Sequence, residues 1–229
     1  AAPLYYKLLV DIPTIEILAH RTIWSCVTFA AILAVQGRMG QIRVALASPK
    51  SRGTIAIAAF VISLNWFLFI YSIQIDKAVE ASLGYYIFPL VAVLIGWLGF
   101  GEKLLRAQWL AVGLATLAVT VLTYGLGVAP WIALTLASSF GLYGLIKKRL
   151  DVGPVVSVTC EVLLLVPIAA AVLIYQGSSG AFGLNRDGFL LIFSGALTAG
   201  PLILFSYATK RVAMATVGLV QYLNPTGQF

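Results

Sequence analysis

PVVSVTCEVLLLVPIAAAVLIY, residues 154–175, is a run of 22 residues carrying one charge, Glu161. Wound as an α-helix, such a run is long enough to cross the roughly 30 Å hydrocarbon layer of a bilayer. An ionisable group at that depth is expensive, at about 2.5–3.5 kcal/mol on insertion scales, and is rarely kept without a partner or water. The stretch therefore predicts a spanning helix with a polar spot inside the membrane.

The same pattern continues on both sides. Apolar runs between polar or Gly/Pro punctuation predict further spans at 14–36, 53–74, 82–100, 107–126, 130–146 and 188–208. Residues 1–10 read as the tail of another helix, and a ninth segment opens near Ala213. Hydrophobic residues make up 61% of the chain, charged residues 10%, and mean hydropathy is +0.99. Soluble domains carry about 25% charged residues, so lipid must cover most of this surface. The longest breaks, 37–52 and 176–187, are too short to separate soluble domains. The expected fold is an all-α polytopic membrane protein with one membrane domain. With no initiator Met before Ala1, and a stop at Phe229 partway into an apolar segment, the chain reads as a piece of a longer one. Cys26 and Cys160 both sit in apolar runs without metal spacing and read as packing residues.

Charge predicts orientation. Of 15 Lys and Arg residues, eleven follow the even-numbered spans (Arg38, Arg43, Lys50, Arg52, Lys103, Arg106, Lys147, Lys148, Arg149, Lys210 and Arg211). The opposite loops hold only Lys77 and Arg186, leaving Lys7 and Arg21 within spans. Basic loops favour the cytoplasm. The net charge of +7 is then a topological bias, with no call for nucleic acid.

An internal repeat is legible. Ala81-Ser-Leu-Gly-Tyr-Tyr-Ile-Phe-Pro89 parallels Ala215-Thr-Val-Gly-Leu-Val-Gln-Tyr-Leu-Asn-Pro225, and Leu4-Tyr-Tyr-Lys7 parallels Leu145-Ile-Lys-Lys148. On that register Arg21 falls opposite Glu161. The expected division is 1–126 and 130–229, and a unit of five spans must invert on repetition because five is odd. Many secondary transporters are built from inverted repeats around a midplane site. Gly84 with Pro89, and Gly218 with Pro225, are candidate helix breaks or packing kinks.

Several stretches carry a family resemblance: Tyr5-Tyr-Lys7, Glu16-Ile-Leu-Ala-His-Arg-Thr-Ile-Trp24, Asn65-Trp66, Glu80-Ala-Ser-Leu-Gly-Tyr85, Gly101-Glu102, Gln108-Trp-Leu-Ala111, Tyr143-Gly-Leu145 and Gln221-Tyr222 ahead of Pro225. Together they resemble the RarD group of EamA-type permeases, in the drug/metabolite transporter superfamily. The resemblance implies ten helices in two inverted five-helix repeats, of which this chain holds part of helix one, helices two to eight and the start of helix nine. It also implies a substrate route between the halves and a bacterial inner-membrane location. Members are often labelled by chloramphenicol resistance or sensitivity, which identifies no physiological substrate. Asn224 stands before Pro225 where the family pattern leads one to expect a small residue.

The candidate substrate-binding residues are Arg21, Glu161, Lys7, His20, Asn65, Trp66, Tyr85 and Tyr222. Arg21 offers a fork for a carboxylate or phosphate, or snorkels to headgroups. Glu161, with no cation near it in sequence, should pair with a distant one such as Arg21 or exchange a proton; His20 is the other proton-coupling candidate. Lys7 competes between a site role, a pair with Asp11 and snorkelling. Asn65 either meets substrate or links helices. The aromatic candidates, together with Trp24 and Tyr86, line a cavity or anchor at the interface. Glu102 with Lys103 reads as a gate or helix-end pair. No catalytic residue, metal site or cofactor is expected, and the chain lacks a Walker Gly-Lys-Ser/Thr motif. The leading reading is an exporter of small amphipathic or anionic metabolites or drugs by alternating access, with proton coupling as an option; a non-transporting scaffold or lipid scramblase is the alternative. The expected partners are a small-molecule substrate and the bilayer, with a homodimer allowed.

Overall fold

The computed structural model describes residues 2–126, 131–176 and 185–221. They form ten α-helices and no strand: α1 (Ala2–Lys7), α2 (Thr14–Val35), α3 (Gly40–Ala47), α4 (Pro49–Gln74), α5 (Ala78–Phe100), α6 (Arg106–Leu126), α7 (Trp131–Arg149), α8 (Pro154–Gln176), α9 (Arg186–Arg211) and α10 (Met214–Val220). Five of them, α2, α4, α5, α8 and α9, are long and apolar enough to cross a membrane. That these five are helical follows from the solvent: in lipid each backbone N–H and C=O must be satisfied within its own segment.

The buried side chains form layers along the bundle. At one end Tyr6, Ile17, Phe69, Ile73, Ala81, Ile132 and Leu191 pack together, joining the end of α4 to the starts of α2, α5, α7 and α9. A central layer includes Phe29, Trp66, Phe88, Tyr143, Val158 and Phe205. At the other end, here called the basic end, Leu33, Ala45, Ile55, Leu150, Val155 and Cys160 meet.

Two sequence expectations change. The basic 37–52 segment is not a plain loop: Gly40–Ala47 winds into α3, because Ile42, Ala45 and Leu46 bury against Leu33 and Val155 at the basic end. The Gly84–Pro89 stretch is not a break either, since α5 runs unbroken from Ala78 to Phe100 with Pro89 inside it. Pro89 removes only one N–H from the ladder, and neighbours hold the helix on both sides. A Cβ at Gly84 would lie 3.1 Å from Leu136 Cβ and 3.2 Å from the Ala133 carbonyl, so this glycine serves close approach to α7. Gly218 does the same for α10, where a Cβ would lie 2.8 Å from the Pro89 carbonyl. Pro225 and Tyr222 lie outside the described residues.

The tightest crossing joins α2 and α9. A Cβ on Gly195 would overlap the backbone of Trp24 and sit 2.6 Å from the Ser25 nitrogen. Backbone cannot swing aside as a side chain can, so Gly195→Ala is expected to cost about 1–3 kcal/mol. The check is a lowered unfolding midpoint in detergent, with no lowering for Gly113→Ala because nothing lies within 4 Å of its added Cβ.

Candidate functional site

Arg21 is the eighth residue of α2 and turns inward. Its Nη1 donates to the Tyr6 hydroxyl at 2.8 Å, and its guanidinium carbon lies 4.3 Å from the centroid of Trp66. The rings continue outward: Tyr6 packs edge-on against Tyr5 at 5.2 Å and Phe69 at 6.0 Å, and Phe69 against Tyr85 at 5.8 Å. Arg21 also interacts electrostatically with the Tyr5 and Tyr85 hydroxyls. The aromatic faces supply partial negative charge, but among the described residues no carboxylate forms an ion pair with this guanidinium. Its buried Nε is also without a hydrogen-bond partner. The guanidinium is thus caged by the Tyr6 and Trp66 rings.

The cage is pinned from several helices. Tyr5 donates its hydroxyl to the Leu190 carbonyl, tying α1 to α9. Gln74 Nε2 donates to the Ile12 carbonyl at 2.6 Å, and the Thr14 hydroxyl donates to Gln74 Oε1. These bonds hold the end of α4 against the α1–α2 turn, which positions Tyr6 over Phe69.

A second polar cluster lies between α7 and α8. Lys147 Nζ pairs with Glu161 Oε1 at 2.7 Å, with side chains 0% and 1% exposed. The ammonium also donates to Ser157 Oγ, and Tyr143 donates its hydroxyl to Glu161 Oε2 at 2.8 Å. This corrects the expectation that Glu161 pairs with Arg21, and it moves Lys147 out of the basic loop and into the bundle. The signal lay in two spacings of four, Tyr143 to Lys147 and Ser157 to Glu161, each of which puts two polar groups on one helix face.

Of the remaining candidates, Trp66 and Tyr85 join the Arg21 cage, whereas Lys7 is exposed. His20 is fully buried on α2 beside Glu16, one turn away, with which it interacts electrostatically. Asn65 takes its helix-linking role, since Nδ2 donates to the Leu136 carbonyl and to Ser139 Oγ, both at 2.9 Å. Tyr6, absent from the candidates, is the residue hydrogen-bonded to the guanidinium. Glu102 pairs with Lys148 at 2.8 Å rather than with Lys103.

A profile of the EamA-like transporter family matches residues 1–124, more than half of the chain. The Protein RarD of Streptomyces exfoliatus is 45% identical over 99% of this chain and 73% of its own length. The chain belongs to the RarD group of the EamA-like transporter family. The uncharacterized transporter YojE of Bacillus subtilis (strain 168) is 42% identical over 98% of this chain and 77% of its own length. The chloramphenicol-sensitive protein RarD of Pseudomonas aeruginosa is 28% identical, covering 97% and 77% respectively. No solved structure matches the chain. This is therefore a multi-pass bacterial membrane protein, a permease of the drug/metabolite transporter type that takes a small-molecule substrate within lipid.

Proposed function

We propose that the protein is a secondary transporter that exports small anionic or amphipathic metabolites or drugs by alternating access, with Arg21 receiving the anionic group. The observation that carries this is the caged guanidinium: a cation inside the bundle, held by Tyr6 and Trp66, with no carboxylate paired to it among the described residues. A guanidinium binds a carboxylate or phosphate through paired N–H donors, and the surrounding rings suit an apolar substrate body.

Two inverted repeats, 1–126 and 130–229, would supply the rocking halves. In support, Arg21 and Glu161 are each the eighth residue of their helices, α2 and α8. Each is bonded to the helix that precedes its own in the chain, Arg21 to Tyr6 of α1 and Glu161 to Lys147 of α7. The basic end faces the cytoplasm of the inner membrane in this reading. Glu161 and His20 are the groups through which protons would couple.

The test is counterflow in proteoliposomes with labelled carboxylates and phosphate monoesters, using chloramphenicol as an uncharged amphipathic comparator. Saturable exchange of at least one anion is expected. If no solute exchanges and only labelled lipid crosses between leaflets, the protein is a scramblase and the proposal falls.

A further inference from the structure

The basic end is held by a set of cations, two of which reach from the second half of the chain to the first. Lys148 and Arg149, at the end of α7, grip different elements. Lys148 Nζ meets Glu102 Oε1 at 2.8 Å, and Arg149 Nη2 donates to the Gly99 carbonyl at 2.7 Å. Both also cover the Phe100 ring, at 4.5 and 5.4 Å. Lys210, near the end of α9, donates to the Leu150 carbonyl at 2.6 Å and to the Val152 carbonyl.

Glu102 is the hub. Its carboxylate accepts the backbone N–H of Met214 at 3.0 Å and of Ala215 at 3.3 Å, so one side chain ties the α5–α6 turn to both α7 and the start of α10. Local backbone aims it there. Gly101 adopts φ +63°, a left-handed turn suited to glycine, and the Glu102 N–H returns to the Gly96 carbonyl at 3.0 Å. The carboxylate then lies over Gly96, where a Cβ would collide with it. Burial raises the cost of ionising Glu102, but the Lys148 ammonium and the two backbone N–H groups outweigh burial. They hold its carboxyl below the usual carboxylate range, so it is an anion at neutral pH.

Deeper in the bundle, rings from α5, α7 and α9 fill the middle. Phe140 lies 4.5 Å from Phe205 and 5.1 Å from Phe88, and Tyr143 stacks on Phe205 at 6.1 Å. Ser206 is fully buried at this level, and Ser194 is fully buried at the level of the Arg21 cage, on the same helix.

We infer that Glu102 and Lys148 are the gate of the basic end: their bridge closes that end over the aromatic plug and must part before the end can open. The bridge is only partly buried, with the Lys148 side chain 23% and the Glu102 side chain 17% exposed, unlike the dry Lys147–Glu161 pair. Partial exposure lowers the cost of separating the two charges, because water can solvate each as they part. A gate needs that property, and a permanent tie does not. The inference rests on the alternating-access reading.

Thiol labelling separates the two. In a chain with Cys26 and Cys160 replaced by alanine, Ser206→Cys reports the basic side of the plug and Ser194→Cys the cage side. Each is labelled with a membrane-impermeant maleimide in oriented proteoliposomes, with and without Glu102→Ala or Lys148→Met. Opening the gate should raise Ser206→Cys labelling from the basic side at least about tenfold, the factor that accompanies a 1.4 kcal/mol shift. Ser194→Cys labelling from the other side should fall in the same variants. Unchanged labelling at Ser206→Cys overturns the gate, as does a rise at both positions, which would mean general loosening. A rise at Ser206→Cys with no change at Ser194→Cys keeps the gate and overturns alternating access.

Discussion

Lys147→Met is expected to remove about 3–5 kcal/mol of stability, the usual loss when one partner of a buried ion pair is deleted. The reason is what remains. Glu161 is 1% exposed and its Oε1 would lose the ammonium at 2.7 Å, so a carboxylate in hydrocarbon would have to take up a proton or find water. Tyr143 would still donate to Oε2, which satisfies one oxygen and leaves the charge uncompensated. Adding Glu161→Gln to Lys147→Met removes that charge while keeping an acceptor for Tyr143. The double variant should therefore recover to within about 1 kcal/mol of the parent, as buried pairs replaced together often do. Unfolding in detergent, run as a double-mutant cycle, gives the answer. Additive single losses, with no recovery in the double variant, would mean that the two charges do not face each other.

Arg21→Ala carries the largest expected effect on transport. A charge-assisted hydrogen bond is worth about 1.5–3 kcal/mol, so losing it should lower anion exchange at sub-saturating solute by about one to two orders of magnitude. Arg21→Lys should recover only part of that. An ammonium keeps the charge but neither forks to a carboxylate nor lies flat over Trp66, as the guanidinium does at 4.3 Å. Tyr6→Phe, which removes the hydroxyl bonded to Nη1 at 2.8 Å, should leave exchange between the parent and Arg21→Ala. The readout is initial counterflow rate against solute concentration. Equal rates in Arg21→Ala and the parent would take this residue out of the site.

The clarity of the membrane fold in the sequence has a simple cause. Apolar length is a local property, and lipid rewards it segment by segment, so the 154–175 run reads as a helix without reference to any neighbour. The single polar residues stood out for the same reason: Arg21 and Glu161 are conspicuous because little around them is charged. Pairing was another matter. The sequence parallels set Arg21 opposite Glu161, but matching positions need not touch: Arg21 bonds Tyr6 of α1 and Glu161 pairs with Lys147 of α7. Lys147 was hidden because it belongs to a run of three basic residues that looks like a loop. Which of the three turns inward depends on helix phase, and α7 continues through all of them to Arg149.

Pro89 teaches the converse. Alone it argues for interruption, yet α5 stays whole because α7 packs at Gly84 and α10 at Pro89 itself. Hydropathy and charge were enough for the spanning helices and the two unusual intramembrane residues, and the motif resemblance for the family. The cage around Arg21, the dry ion pair and the Glu102 clasp required the packed bundle. Each is a contact between helices, some consecutive (Lys147 with Glu161, Arg21 with Tyr6) and some distant (Glu102 with Lys148 and Met214), and it is decided by which faces meet once the helices cross.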